Sequence, residues 1–103
     1  MNPELLNDAL ALSLQWGPER MRPYTERLRE KHPALTEEEA RDLERRCGEV
    51  ESLAWREIER AYLKQITMAE AQQRIAAAHP WINAENHAML VAQGQYYAWK
   101  ENG

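Results

Sequence analysis

The sequence predicts an all-α fold, a single-domain bundle of about five helices over residues 1–103, organised along one long central helix at about 36–66. Three observations carry this. The stretch from Thr36 to Ile66 contains no proline, and at 1.5 Å per residue it would run roughly 45 Å, longer than a globule of this chain length is wide, so shorter helices must lie along it. Ala, Leu, Glu, Arg and Gln abound, Phe is absent, and no Val/Ile/Thr-rich run suggests a strand. Helix start and stop signals recur along the chain. With 103 residues, 44% of them hydrophobic and 29% charged, the chain is long enough to bury a core and too apolar to remain disordered.

The first helix is expected at 3–16. Asn2 suits its N-cap and Pro3 its first position, and Leu5, Leu6, Ala9, Leu10, Leu12 and Trp16 spread over a wide arc. That arc fits a helix packed between two others; alternatively Ala11 and Leu14 meet a second chain. Gly17-Pro18 breaks the helix. Pro23 would disrupt a helix begun at Pro18, so the spacing predicts a short turn at 18–21 and a helix over 22–31. Met21, Tyr24, Leu28 and Leu35 keep an inward three-four spacing, with the stem of Lys31 in the next slot, before His32-Pro33 stops the helix.

Thr36 with Glu39 forms a capping box, Leu35 and Ala40 a hydrophobic staple, and Glu37, Glu38 and Glu39 complement the positive end of the long helix. Ala40, Leu43, Cys47, Val50 and Ala54 make a heptad seam that shifts to Ile58, Ala61 or Tyr62, and Ile66. Leu53 and Trp55 widen the second half, which is expected to carry the main core, whereas Cys47 and Gly48 on the thin first half either allow a neighbour close approach or include no more than a glycine tolerated inside a helix. Glu37 with Arg41 and Asp42 with Arg46 are spaced for ion pairs on a solvated face. A second capping box, Thr67 with Glu70, starts a helix carrying Met68, Ala71, Ile75 and Ala78 that His79-Pro80 ends. The last helix runs from Asn83 to about Lys100, with Met89, Ala92, Tyr96 and Trp99 on one line and Leu90, Gly94 and Tyr97 on the next.

Few function classes have support in the residues. The single cysteine, Cys47, excludes an internal disulfide and an all-cysteine zinc site, and a cytoplasmic protein is expected. The apolar stretch Leu5 to Trp16 is too short to span a bilayer, is interrupted by Asp8 and follows Glu4 rather than a basic leader, so no membrane association is expected. His79 and His87 lie near Glu70 and Glu85 without the Glu-x-x-His or HExxH spacing that sets ligands on one helix face. His79 at a helix end is instead expected to be a cation on the helix dipole. Nucleophilic catalysis would need Cys47, Ser13 or Ser52 beside a base; Cys47 lies on an inward seam, where a small hydrophobe is expected, and the four glycines are scattered, so no catalytic residue, metal or cofactor is assigned.

Residues 67–103 carry only two basic and three acidic side chains, yet hold Trp81, Tyr96, Tyr97 and Trp99, interleaved with Asn83, Asn86, Gln93 and Gln95. Aromatics among uncharged amides match the cores of protein–protein interfaces, and they also match one end of a helical core. Tyr96 and Tyr97, being adjacent, cannot both face inward. The leading expectation is therefore a non-enzymatic protein–protein interaction or regulatory module, with a homodimer as one form of it and Trp81, Gln93, Tyr96, Tyr97 and Trp99 as the interaction surface. The second is a nucleic-acid-associated regulator using the helix pair 67–79 and 83–100. It is opposed by the net charge of −4, by a last helix with no arginine or lysine before Lys100, and by Glu19, Glu26 and Glu30, which offset Arg20, Arg22, Arg27, Arg29 and Lys31. A small metal-binding protein or enzyme is the third.

Overall fold

Side-chain caps set four of the helix starts. Asn2 Oδ1 accepts the Glu4 N–H at 2.8 Å, and Pro3 opens α1 (Pro3–Ser13). Thr36 Oγ1 accepts the Glu39 N–H at 3.1 Å while Glu39 Oε1 accepts the Thr36 N–H at 2.9 Å, which closes the capping box ahead of α3 (Glu37–Tyr62). Thr67 and Glu70 repeat it, at 3.0 and 3.1 Å, for α4 (Met68–Ala78). Asn83 Oδ1 accepts the Asn86 N–H at 2.8 Å and starts α5 (Ala84–Asn102). A 3₁₀ turn at Pro18–Met21 precedes α2 (Tyr24–Lys31), which begins after Pro23 rather than at 22. The structure is a computed structural model describing residues 2–103, and those residues form an all-α helical bundle of five α-helices, 77% helical and without a strand. Packing divides the chain into two compact units, with the boundary between Gly48 and Glu49 inside α3.

In the first unit Leu6, Ala9, Leu10, Leu12, Leu14, Leu28, Ala40, Leu43 and Cys47 are buried. Three expectations need correction here. α1 ends at Ser13, not at 16, while buried Leu14 agrees with the packed helix and not with the alternative of a second chain. Met21, placed inward by its spacing, is 87% exposed because it ends the 3₁₀ turn and not a helix. Lys31 is exposed too. The inward polar residue is Arg27, only 6% exposed, whose Nη2 donates to the Leu12 carbonyl at 3.3 Å and to Gln15 Oε1 at 3.0 Å. A guanidinium thus serves the carbonyl end of α1, where the backbone runs out of intrahelical donors. Tyr24 donates to the Ala9 carbonyl at 2.6 Å; that occupies its proton, which leaves the Cys47 thiol as donor across the 3.7 Å to Tyr24 Oη.

In the second unit the core is Val50, Ala54, Ile58, Ala71, Ile75, Ile82, Leu90 and Ala98. The heptad seam of α3 is buried along its length in both units, whereas Leu53, Trp55 and Ala61 are half-buried and Tyr62 is exposed, so the broad second half is not wholly core. α3 stops at Tyr62, four residues before Ile66. Lys64 adopts φ 62°, its N–H donates to the Ala61 carbonyl at 3.0 Å and the Gln65 N–H to the Arg60 carbonyl at 2.9 Å. This is the bonding of a glycine-capped helix end with lysine in the glycine's place. Of the two readings of Gly48, the tolerated glycine holds, and close approach falls elsewhere. A Cβ at Gly48 would meet nothing within 4 Å, while one at Gly94 would lie 2.6 Å from Ile58 Cδ1. Glu57, buried among Arg60 at 3.2 Å, Arg74 at 3.8 Å and Arg56 at 3.9 Å, gave no sign of burial in the sequence.

Candidate interaction surface

α5 has two unlike faces. Asn86, Leu90, Gln93, Gly94 and Ala98 repeat at helical spacing and are buried, with Gly94 bringing the backbone against Ile58. At the far end Asn102 Nδ2 donates to Glu59 Oε2 at 3.1 Å and to the Ala98 carbonyl at 2.9 Å, which ties the last turn of α5 to α3. The opposite face presents Met89, Tyr96 and Trp99, which are 43%, 44% and 57% exposed, with exposed Ala92 on the same line.

The residues expected to form the surface therefore separate. Gln93 is 5% exposed and contributes to the interior of the second unit. Tyr97 is half-buried, edge-on to Trp55 with ring centroids 5.4 Å apart. Tyr96 lies 5.6 Å from Tyr97 and 6.1 Å from Trp99, so three rings of α5 and Trp55 form one continuous cluster that grades from half-buried to exposed. Trp81 sits apart, in the turn before α5, with its ring edge-on to His79 at 6.2 Å. Met89 was not among the expected residues, although it shares the line of Tyr96 and Trp99, and Gly94 on the other line marks the inward side.

Two shallow clefts adjoin α5. One, of about 430 Å³, lies between α3 and α5 and is lined by Trp55, Arg56, Glu59, Gly94, Tyr97 and Glu101. The other, also about 430 Å³, lies on the α4 side and is lined by Gln72, His87, Ala88, Val91, Ala92 and Gln95. Both floors mix small residues with amides or aromatics.

Elsewhere the chemistry is structural. Arg22 is clasped by Glu19 at 2.8 Å, Glu26 at 3.1 Å and Glu30 at 2.7 Å, and the Arg22 hydrogen bond holds the Glu30 carboxyl below its usual range. Arg29 Nε donates to the Leu35 carbonyl at 3.1 Å. Much of the basic strip at 20–31 is thus engaged within its own unit. Hydrogen bonds from Arg45 and Arg46 likewise lower Asp42, and those of the capping box lower Glu70. His79 departs from its expected role. Burial pushes its pKa down against the opposing pull of Glu49, so it favours the neutral ring, and it ends α4 through its backbone N–H, which donates to the Ile75 carbonyl at 2.9 Å. Among the described residues no group of three His, Cys, Asp or Glu side chains is arranged to hold a metal ion, and no helix is long and apolar enough to cross a membrane.

No protein-family model matches the chain, and neither a curated protein nor a solved structure does.

Proposed function

We propose that the protein is a small non-enzymatic interaction or regulatory module that receives a protein partner on the outer face of α5. One observation carries the reading: Met89, Tyr96 and Trp99 stand exposed on a single line of a helix that has no Asp, Glu, Lys or Arg between residues 86 and 99. Large apolar side chains gathered in a charge-depleted patch are what interface cores offer and what monomeric surfaces ordinarily avoid. Tyr and Trp are also the residue types that concentrate binding energy. The reading goes with a cytoplasmic protein. A nucleic-acid role has less in its favour, since Arg22 is committed to carboxylates, Arg27 is buried, and α5 offers Lys100 alone for phosphate.

Replacing Trp99 with a photo-reactive benzophenone amino acid and irradiating the native cells tests this. A discrete protein adduct from position 99, absent when the probe replaces Glu38 on α3, is expected. Irradiation that yields no protein adduct from position 99 would overturn the reading.

A further inference from the structure

The line Met89, Ala92, Tyr96, Trp99 steps by three, four and three residues, the spacing of a two-helix seam. In α3 the same kind of seam is buried by the protein itself; in α5 it is exposed. From this spacing and from the charges that flank it, we infer that the partner of this face is a second copy of the chain, packed α5 against α5, antiparallel, about a two-fold axis on the outer face at the level of residue 94. The inference rests on the proposed interaction role of α5 and names its occupant.

Two-fold pairing makes one patch complementary to itself. With the axis near residue 94, Met89 faces Trp99 of the second copy and Ala92 faces its Tyr96, so all four seam residues are used and the small alanine accepts the large ring. No other antiparallel register uses all four: setting Tyr96 against Trp99, for example, leaves Met89 and Ala92 facing no seam residue. Ala88, Val91 and Ala92, which line the cleft on the α4 side, give the ring of the opposing copy a groove beside the ridge.

Charge favours the same arrangement. A residue on a two-fold axis meets its own copy, so a charged residue there repels itself. The exposed residue flanking the axis is Gln95, whose amide both donates and accepts and can therefore pair with its twin. The first charges met on leaving the seam are Glu85 at one end and Lys100 at the other, of opposite sign. Antiparallel packing brings Lys100 of each copy within about 5 Å, along the axis, of the level of Glu85 in the other, whereas parallel packing sets like against like. A seam of four residues is short, and the dimer is expected to dissociate at about micromolar concentrations or above.

Sedimentation equilibrium of the full chain across a concentration series, with charge-swapped variants at position 95, tests this. The wild type is expected to pass from 12.1 kDa to twice that mass as concentration rises. Gln95→Glu and Gln95→Lys should each weaken self-association about tenfold, and an equimolar mixture of the two should recover it, because only a position that meets itself is rescued by mixing opposite charges. Both substitutions lie on an exposed face, and unchanged circular dichroism would show that the variants fold. A wild type that stays at 12.1 kDa up to millimolar concentration, or a dimer indifferent to both variants, would overturn the inference. In the first case a position-99 adduct in cells larger than two chains would leave the interaction role standing with a different partner, and no adduct would remove both.

Discussion

Gly94 shows what one residue decides. A Cβ there would stand 2.6 Å from Ile58 Cδ1 and 3.0 Å from its Cγ2, so the contact involves the body of the isoleucine and not only its tip. Gly94→Ala is therefore expected to cost about 1–3 kcal/mol by overpacking, read as a lower urea midpoint at unchanged slope. Adding Ile58→Val, which removes the nearest atom, should make the double variant less unstable than the two single losses added together. Arg27 is a second such residue. Its guanidinium reaches the Leu12 carbonyl and Gln15 from a buried position, so Arg27→Ala removes a charged donor and the packed stem together, at about 1–3 kcal/mol. Arg27→Lys should recover only part of this, because an ammonium cannot reproduce the two-point reach of the fork.

Helix starts capped by a side chain were legible in the sequence, as were the ends of α2 and α4 ahead of their His-Pro pairs, whereas the ends of α1 and α3 were not, for a physical reason. Starts are written in side chains, and Asn2, Thr36, Thr67 and Asn83 all bond as their types and spacings indicated. The end of α3 depends on Lys64 entering the left-handed region, which no glycine announces, and the end of α1 is served by Arg27 from another helix. Lys64→Gly should therefore stabilise the protein by about 0.5–1 kcal/mol, since it removes the left-handed penalty while adding some freedom to the unfolded chain, and Lys64→Val should destabilise it. The measurement is the urea midpoint of each. The candidate surface was half legible on the same grounds. Composition located it in the last helix, but Gln93 and Tyr97 could be assigned a side only once Gly94 was seen to mark the inner face. Tyr97, edge-on to Trp55, and Trp99, mostly exposed, should consequently part company on truncation: Tyr97→Ala lowers the melting temperature by several degrees, while Trp99→Ala leaves it within about 1–2 °C.

At the scale of the whole molecule, the shifted groups combine into one stability profile against pH. Glu30, Asp42 and Glu70 are held below the usual carboxylate range by hydrogen bonds, from Arg22, from Arg45 and Arg46, and from Thr67 respectively. Their stabilisation is complete above the unfolded carboxylate values, near 4 to 4.5, and is lost as pH falls through the lower folded ones. All three are exposed, so salt should weaken the Arg-paired contributions. His79 acts earlier. Its folded pKa lies below the ordinary 6.5 because burial disfavours the cation, so the unfolded chain binds more protons around pH 6 and stability declines as pH drops below 6.5. The profile should therefore descend in two stages, a shallow one that sets in below about pH 6.5 and a steeper one below about 4.5. His79 is only partly buried, so its stage should stay under the roughly 4–8 °C by which 1 kcal/mol moves the melting temperature of a domain this size. Melting curves of the wild type and of His79→Gln from pH 8 to 3 separate the stages. The variant should be flat down to about pH 5 and then fall with the wild type, whereas a first stage that survives the substitution would place the titrating group elsewhere.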